Sequence, residues 1–345
     1  MNDILVQHFL IALLVAFCVS VSLCFLFITR NKHTWLDLPN ERSLHKVPVP
    51  RIGGIAIASG VACAVLLLLQ ELQSFLTVYH GVAAAILLAI AVLDDKQGLH
   101  PLIRLVAQVV AAALLVWGAH AYVSAQWLTG LWPVLGIVVL MWCINLYNFM
   151  DGMDGFAGAM GVIGFATLSI LAVMQGQTEY AMFCAVIVAA CIGFLCFNFP
   201  PARIFMGDSG STLLGMFMGT LSIHGWKTGI YSLWVLLLIF SPFWVDATVT
   251  LCKRLCKREK VWLPHRQHHY QRWVLAGYSH RQVLRVYVVL MLACSATAIL
   301  QQHIQQPWMN IGLPLAWVVC YGFIILQSER KLRQNSSAAA VRSKG

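Results

Sequence analysis

The sequence predicts an all-α, polytopic transmembrane helical bundle, and three observations predict it. The chain of 345 residues is 60% hydrophobic and only 10% charged, where a soluble domain carries about 25% charged residues. Apolar runs of roughly 20 residues, enough to cross about 30 Å of hydrocarbon, recur along its whole length. The alternation typical of outer-membrane strands is absent, which leaves helices as the way to satisfy backbone polar groups in lipid.

About eleven spans follow from the apolar runs, near 5–28, 51–69, 78–93, 102–119, 131–147, 156–174, 180–197, 211–225, 230–250, 282–301 and 309–327. Residues 1–327 read as one integral-membrane domain, and 328–345 as a basic tail without regular structure. The first run is too long for the apolar region of a signal peptide, and Asp3 rather than a base precedes it. Segments 29–51, 94–104, 148–155, 198–210, 251–281 and the tail, with Arg285 just inside the next helix, hold all 23 Lys and Arg residues except Lys227. The positive-inside rule makes that side cytoplasmic, with the N-terminus outside and the C-terminus inside. The net charge of +10 is therefore a topology signal facing an anionic leaflet, not a nucleic-acid surface. None of the eleven cysteines falls in an outside loop, so no structural disulfide is expected.

Each inside loop carries a short polar signature. They are "LDLPNERSLHKVPVPRIGG" (36–54), "LDDKQGLHPLIR" (93–104), "NFMDGMDG" (148–155), "NFPPARIFMGDSGS" (198–211) and "PHRQHHYQRWVLAGYSHRQV" (264–283). Asp94, Asp95, Asp151, Asp154, Asp208 and Asp246 all lie on or near this face, and carboxylates at membrane depth mark functional sites. Adjacent Asp94 and Asp95 end a helix whose dipole disfavours acids there. They can hold Mg²⁺, or act as base or nucleophile. Asn145, Asn148 and Asp151 recur every third residue and share a helical face, after which the glycines end the helix and expose Asp154. Asp208 in "GDSG" has the carboxylate, hydroxyl neighbour and close-approaching backbone of a hard-cation turn. Asp246, well inside a span, either joins this site or bonds a neighbouring helix. His265, His268 and His269 with Arg266 form a group suited to gripping phosphate.

These loops together describe one pocket on the inner face, with carboxylates for Mg²⁺, basic groups for phosphate and apolar helices as walls. A metal bridging phosphate oxygens is the usual arrangement for phosphoryl transfer. The residues thus read as a Mg²⁺-dependent enzyme joining a soluble phosphate donor to a lipid acceptor. A secondary transporter would also bury carboxylates, but with inverted repeats and a midplane site. A prenyltransferase would use Asp-rich motifs and Mg²⁺ without a nucleotide pocket.

In this order, the five loops resemble the polyprenyl-phosphate N-acetylhexosamine-1-phosphate transferases, over roughly residues 36–283. The resemblance implies the following roles. Asp94 and Asp95 match the paired aspartates of catalysis near the lipid phosphate. Asn145, Asn148, Asp151 and Asp154 match an Asn-x-x-Asn-x-x-Asp-Gly-x-Asp-Gly motif, whose aspartates border the nucleotide pocket and whose first Asn lies near the metal. Asn198 and Phe205 match uracil contacts, and Asp208 matches the Mg²⁺ ligand, with Mn²⁺ as the substitute ion. His265, His268 and His269 fall in a histidine loop that contacts diphosphate and sugar, and His45 and Lys46 in a substrate-binding first loop. The expected substrates are undecaprenyl phosphate and a UDP-N-acetylhexosamine at the bacterial inner membrane; a homodimer is compatible. The peptidoglycan branch, a phospho-MurNAc-pentapeptide transferase, carries three successive histidines followed by Phe-Glu. The loop here reads "HRQHHYQ" and resembles the O-antigen and surface-glycan branch.

Overall fold

The computed structural model describes residues 3–342 apart from 31–34, 40–43, 46, 74, 120–128, 261–264, 305 and 307, and only the backbone at 333 and 335–342. Every predicted run becomes helix: α1 (Asp3–Arg30), α2 (Gly53–Leu67), α4 (Val78–Gln97), α5 (Pro101–Gly118), α6 (Trp132–Phe149), α7 (Phe156–Met174), α8 (Thr178–Asn198), α9 (Gly207–Lys227), the pair α10 (Leu233–Ile239) and α11 (Ser241–Cys256), α13 (His280–Ile304) and α14 (Met309–Arg342). Short helices α3 (Leu69–Leu72) and α12 (His269–Leu275) and a hairpin of β1 (Leu36–Asp37) with β2 (Val49–Pro50) complete the described elements.

By length and composition, eight of these helices can cross a membrane, or nine with the α10–α11 pair taken as one span bent by 80°. The bend falls just before Pro242, near the start of α11, where a proline costs no helical hydrogen bond. Of the eleven expected runs, α2 and α9 fall outside this set. With 15 residues, α2 rises only about 22 Å. The other, α9, is rich in Gly, Ser and Thr because it does not face lipid: it is buried along nearly its whole length, against α2, α4 and α6. Small residues allow such close helix approach. A Cβ on Gly215 would lie 2.7 Å from the Cys143 carbonyl oxygen of α6, and one on Gly54 would lie 2.0 Å from the Gly210 nitrogen.

That Gly54–Gly210 crossing sets the geometry of the site, because it brings the start of α2 onto the start of α9. Gly53 N–H donates to Phe205 O (2.8 Å), Gly54 N–H to Met206 O (2.7 Å), and Phe205 N–H to Pro50 O (2.8 Å). The first and fourth loops are therefore stitched together through backbone.

The tail differs from expectation. Through residues 328–342 the backbone continues α14 as helix, where the sequence suggests no regular structure. The segment is rich in helix formers, Lys, Leu, Arg, Gln and three successive alanines, and Glu329 pairs with Lys253 of α11 (2.5 Å). Lys227, the single base assigned outside, lies over the faces of Trp226 (4.1 Å) and Trp132 (4.8 Å).

Candidate active site

Residues from four of the five loops line one polar pocket of about 290 Å³: Asp37, His45 and Arg51; Asn148, Asp151 and Asp154; Asn198, Phe205 and Asp208; Gln271 and His280. The remaining loop, 94–104, reaches it through ion pairs. Arg104 bonds Asp94 Oδ2 (2.9 Å) and stands 3.5 Å from Asp208 Oδ2. Arg51 bonds Asp208 Oδ1, and its Nε lies 3.4 Å from Asp95 Oδ1. The chain of charges therefore runs Asp94–Arg104–Asp208–Arg51–Asp95. Neither arginine stood out in the sequence, where both counted only as topology charges.

This arrangement also answers the question of two acids at a helix C-terminus. Asp94 Oδ1 accepts from Leu99 N–H (2.6 Å), across the left-handed turn at Gly98 (φ +66°). Asp95 faces the amides of Asp208 and Ser209 at the start of α9, where a negative charge is favoured. Gly207, with φ +73°, is required on two counts: an L side chain is strained there, and its Cβ would sit 3.0 Å from Asp95 Oδ2.

The motif at 145–154 divides. Asn148 and Asp151 line the pocket. Burial, opposed by Arg51 and reinforced by Asp208, Asp95 and Asp37, raises Asp151 well above the ordinary carboxylate value. Asp154 is held by His280 Nδ1 (3.0 Å) and by Ala202 N–H (3.0 Å). Burial alone would raise it, but these partners outweigh burial and hold it below its ordinary value. Asn145 does not join the group. Its amide donates to Gln108 Oε1 (2.7 Å) and Met141 O (2.8 Å), one helical turn from Arg104. Asn198 uses both ends of its amide internally, accepting from Gly155 N–H (2.9 Å) and donating to Ile204 O (2.8 Å). Phe205 meets the His45 ring edge-on, with centroids 4.9 Å apart. Lys46 lies outside the described residues.

The histidine loop is placed differently from the phosphate-gripping expectation. His265, His268 and His269 do not line the pocket; Gln271 and His280 do. The organising group is Asp246, buried in α11. It accepts from the backbone N–H of His269 (2.9 Å) and of Tyr270 (3.1 Å), capping α12, and lies 3.2 Å from His268 Nδ1. Asp246 thus bonds a neighbouring helix, one of the two roles open to it. His269 Nδ1 meets Ser328 Oγ of α14 (2.7 Å). From this anchor Tyr270 donates to Phe149 O (3.2 Å), and its hydroxyl would stand 2.3 Å from a Cβ on Gly152. So α12 braces the 148–155 loop. Arg266 is exposed.

Burial pushes His265 and His269 down to about 4 from an ordinary 6.5. They are neutral at pH 7, not cationic. For each, the unfolded chain binds a proton that the fold refuses, so stability is intact above about pH 6.5 and declines as pH falls towards 4. Melting in detergent should accordingly drop between pH 7 and pH 5, with a shallower drop in His265→Gln.

The donors near Asp208 suit a hard cation. Among the described residues no three His, Cys, Asp or Glu side chains converge on one metal position. Mg²⁺ ordinarily needs no such cage: one or two carboxylates, water and substrate phosphates suffice. Ser209 Oγ is buried beside Asp208 without a hydrogen-bond partner, and Asp95 Oδ1 has only its 3.4 Å ion pair with Arg51, which fits an oxygen-lined site. A separate apolar cavity of about 520 Å³ lies among α5, α6, α9 and α10, bordered by Leu140, Leu146, Phe240 and Trp244. It shares no lining residue with the polar pocket.

A bundle of membrane-crossing helices with carboxylates and guanidinium groups gathered at one end is the framework of a membrane-embedded enzyme for phosphorylated substrates. Residues 76–226 match the model of glycosyl transferase family 4. The chain is 30% identical over 299 residues to a probable undecaprenyl-phosphate N-acetylglucosaminyl 1-phosphate transferase of Bacillus subtilis, covering 81% of this chain and 82% of the relative. It is 28% identical over 330 residues to the undecaprenyl-phosphate alpha-N-acetylglucosaminyl 1-phosphate transferase of Salmonella typhi, covering 90% and 89%. It is 29% identical over 291 residues to the decaprenyl-phosphate N-acetylglucosaminephosphotransferase of Mycolicibacterium smegmatis, covering 72% and 71%. The chain belongs to this family, the polyprenyl-phosphate N-acetylhexosamine-1-phosphate transferases.

Proposed function

We propose that this protein transfers an N-acetylhexosamine 1-phosphate from a UDP-sugar to undecaprenyl phosphate, releasing UMP and starting an O-antigen or related surface glycan. The observation that carries the proposal is the Asp94–Arg104–Asp208–Arg51–Asp95 chain beside a nucleotide-sized pocket. The names of its relatives supply the substrates. The sidedness of the bases supports a pocket at the cytoplasmic face of the inner membrane, open to a cytosolic UDP-sugar. The departure of the "HRQHHYQ" loop speaks against a MurNAc-pentapeptide donor, and the apolar cavity offers room for hydrocarbon.

Asp208 would hold Mg²⁺, which would supply neutralisation of the donor diphosphate. The remaining work falls to the chain. Phe205 and His45 line the pocket as aromatic groups for a base, and Asn148 and Asp151 line it as polar groups. Asp154 and His280 fix each other, so their part of the pocket is held rigid before substrate arrives. The acceptor phosphate has a second pKa of about 6 and is mostly dianionic at pH 7. It attacks the phosphorus next to the sugar with little need of a base. Asp94, already bonded by Leu99 N–H and Arg104, positions its neighbours rather than removing a proton.

Thermal stability of the detergent-purified protein tests the donor assignment. UDP and UMP should raise the melting temperature in the presence of Mg²⁺, and ADP and AMP should not. Equal protection by both bases would contradict the uridine pocket.

A further inference from the structure

Arg51 occupies a singular position. Its backbone is fixed on both sides: its own N–H donates to Trp35 O (2.8 Å), and the preceding Pro50 carbonyl accepts from Phe205 N–H (2.8 Å). Only the side chain is free to change partner. That side chain is 40% exposed, whereas those of Asp95 and Asp208 are 4% and 10% exposed. The guanidinium therefore stands over Asp95 and occupies Asp208 Oδ1 beside it at the pocket wall. Arg51 lines the pocket and Asp95 does not.

The two oxygens of Asp208 face two guanidinium groups, Oδ1 towards Arg51 and Oδ2 towards Arg104. A divalent cation approaching Asp208 from the pocket finds Oδ1 already held by Arg51. Like charges within about 4 Å repel strongly where water is partly excluded, so the cation and this guanidinium compete for one oxygen. A nucleotide diphosphate changes the balance. Its oxygens match the planar fork of a guanidinium and bind it bidentately, in the same pocket that Arg51 lines.

We propose that Arg51 is a donor-binding residue that exchanges Asp208 for the diphosphate of the incoming nucleotide, and so couples nucleotide binding to divalent-cation binding. The proposal rests on the uridine-nucleotide reading of the pocket. By linkage the coupling is reciprocal: the nucleotide raises the affinity for the cation by the same factor as the cation raises that for the nucleotide. The cation alone is a weak ligand, because a built-in cation already sits on its carboxylate. The pocket thereby disfavours loading metal without donor.

Mn²⁺ binding to the purified full-length protein, read by electron paramagnetic resonance with and without UDP, tests this. Mn²⁺–UDP association is measured separately without protein and subtracted. UDP should tighten Mn²⁺ binding by about ten-fold or more in the unaltered protein. R51Q should bind Mn²⁺ alone about ten-fold more tightly, bind UDP more weakly, and lose most of the coupling. R51K, which keeps the charge but cannot bridge two carboxylates, should fall between them and reports the same quantities if R51Q does not fold. Weaker Mn²⁺ binding by R51Q without nucleotide would overturn the competition. A UDP effect left intact in R51Q and R51K would overturn the role of Arg51 and spare the donor assignment. Tighter Mn²⁺ binding by R51Q with no UDP response in any of the proteins would overturn the donor assignment itself.

Discussion

Asp208→Asn is expected to lower turnover by about 10²-fold or more, the scale for losing one charged catalytic contact, while leaving the bundle folded. The substitution keeps shape and one oxygen but removes the charge that Arg51 and Arg104 share. Thr212 bonds the Asp208 backbone carbonyl (2.5 Å), not the side chain, so the local helix keeps its bonds. The loss should appear in turnover and in the Mg²⁺ concentration needed for half-maximal rate, with little change in melting temperature. Near-normal activity at ordinary Mg²⁺ would move the metal to Asp94, Asp95 or Asp154.

Asp246→Ala is expected to act in the opposite way, on stability before chemistry. Two backbone N–H groups of α12, from His269 and Tyr270, and the ring of His268 lose their common acceptor inside the protein. Each buried donor left without a partner costs about 1–3 kcal/mol, so a total near 3 kcal/mol or more is expected. Asp246→Asn retains one oxygen and should cost less. Because α12 braces the 148–155 loop through Tyr270, activity should fall in step with the melted fraction. A melting temperature unchanged in the Ala variant would show that α12 holds its place without this cap.

How much of this was legible in the sequence depends on what each residue meets. The helices were legible because lipid imposes one rule on a long apolar run, and all eleven runs coincide with described helices. The surroundings of α9 were not, since it reads as a weak apolar run and is buried among protein neighbours along nearly its whole length. Convergence of the five loops was legible from sidedness and from acids placed against hydropathy. The arginines were not, because a base on an inside loop satisfies the topology rule whether or not it also binds a carboxylate. Arg51 carried one usable signal, its place two residues before the Gly53–Gly54 pair that permits the close approach to Gly210. The histidines were legible as a group but not by role. His268 and His269 fall at the N-terminus of a short helix that needs an acceptor, and Asp246, an acid deep in an apolar run, is that acceptor. His280, the partner of Asp154, stood in no recognisable spacing.

The central claim concerns which bond breaks, and one measurement tests it most directly. Membranes containing the protein are incubated with undecaprenyl phosphate and UDP-GlcNAc labelled both in the sugar and in the β-phosphate. A pocket built from carboxylates, guanidinium groups and a cation is arranged for phosphorus, whereas sugar transfer at carbon would need an acid and a nucleophile flanking the ring. Both labels should therefore pass to the lipid together, with UMP as the nucleotide product and reversal on adding UMP. Sugar label reaching the lipid without the β-phosphate, with UDP released, would contradict the account.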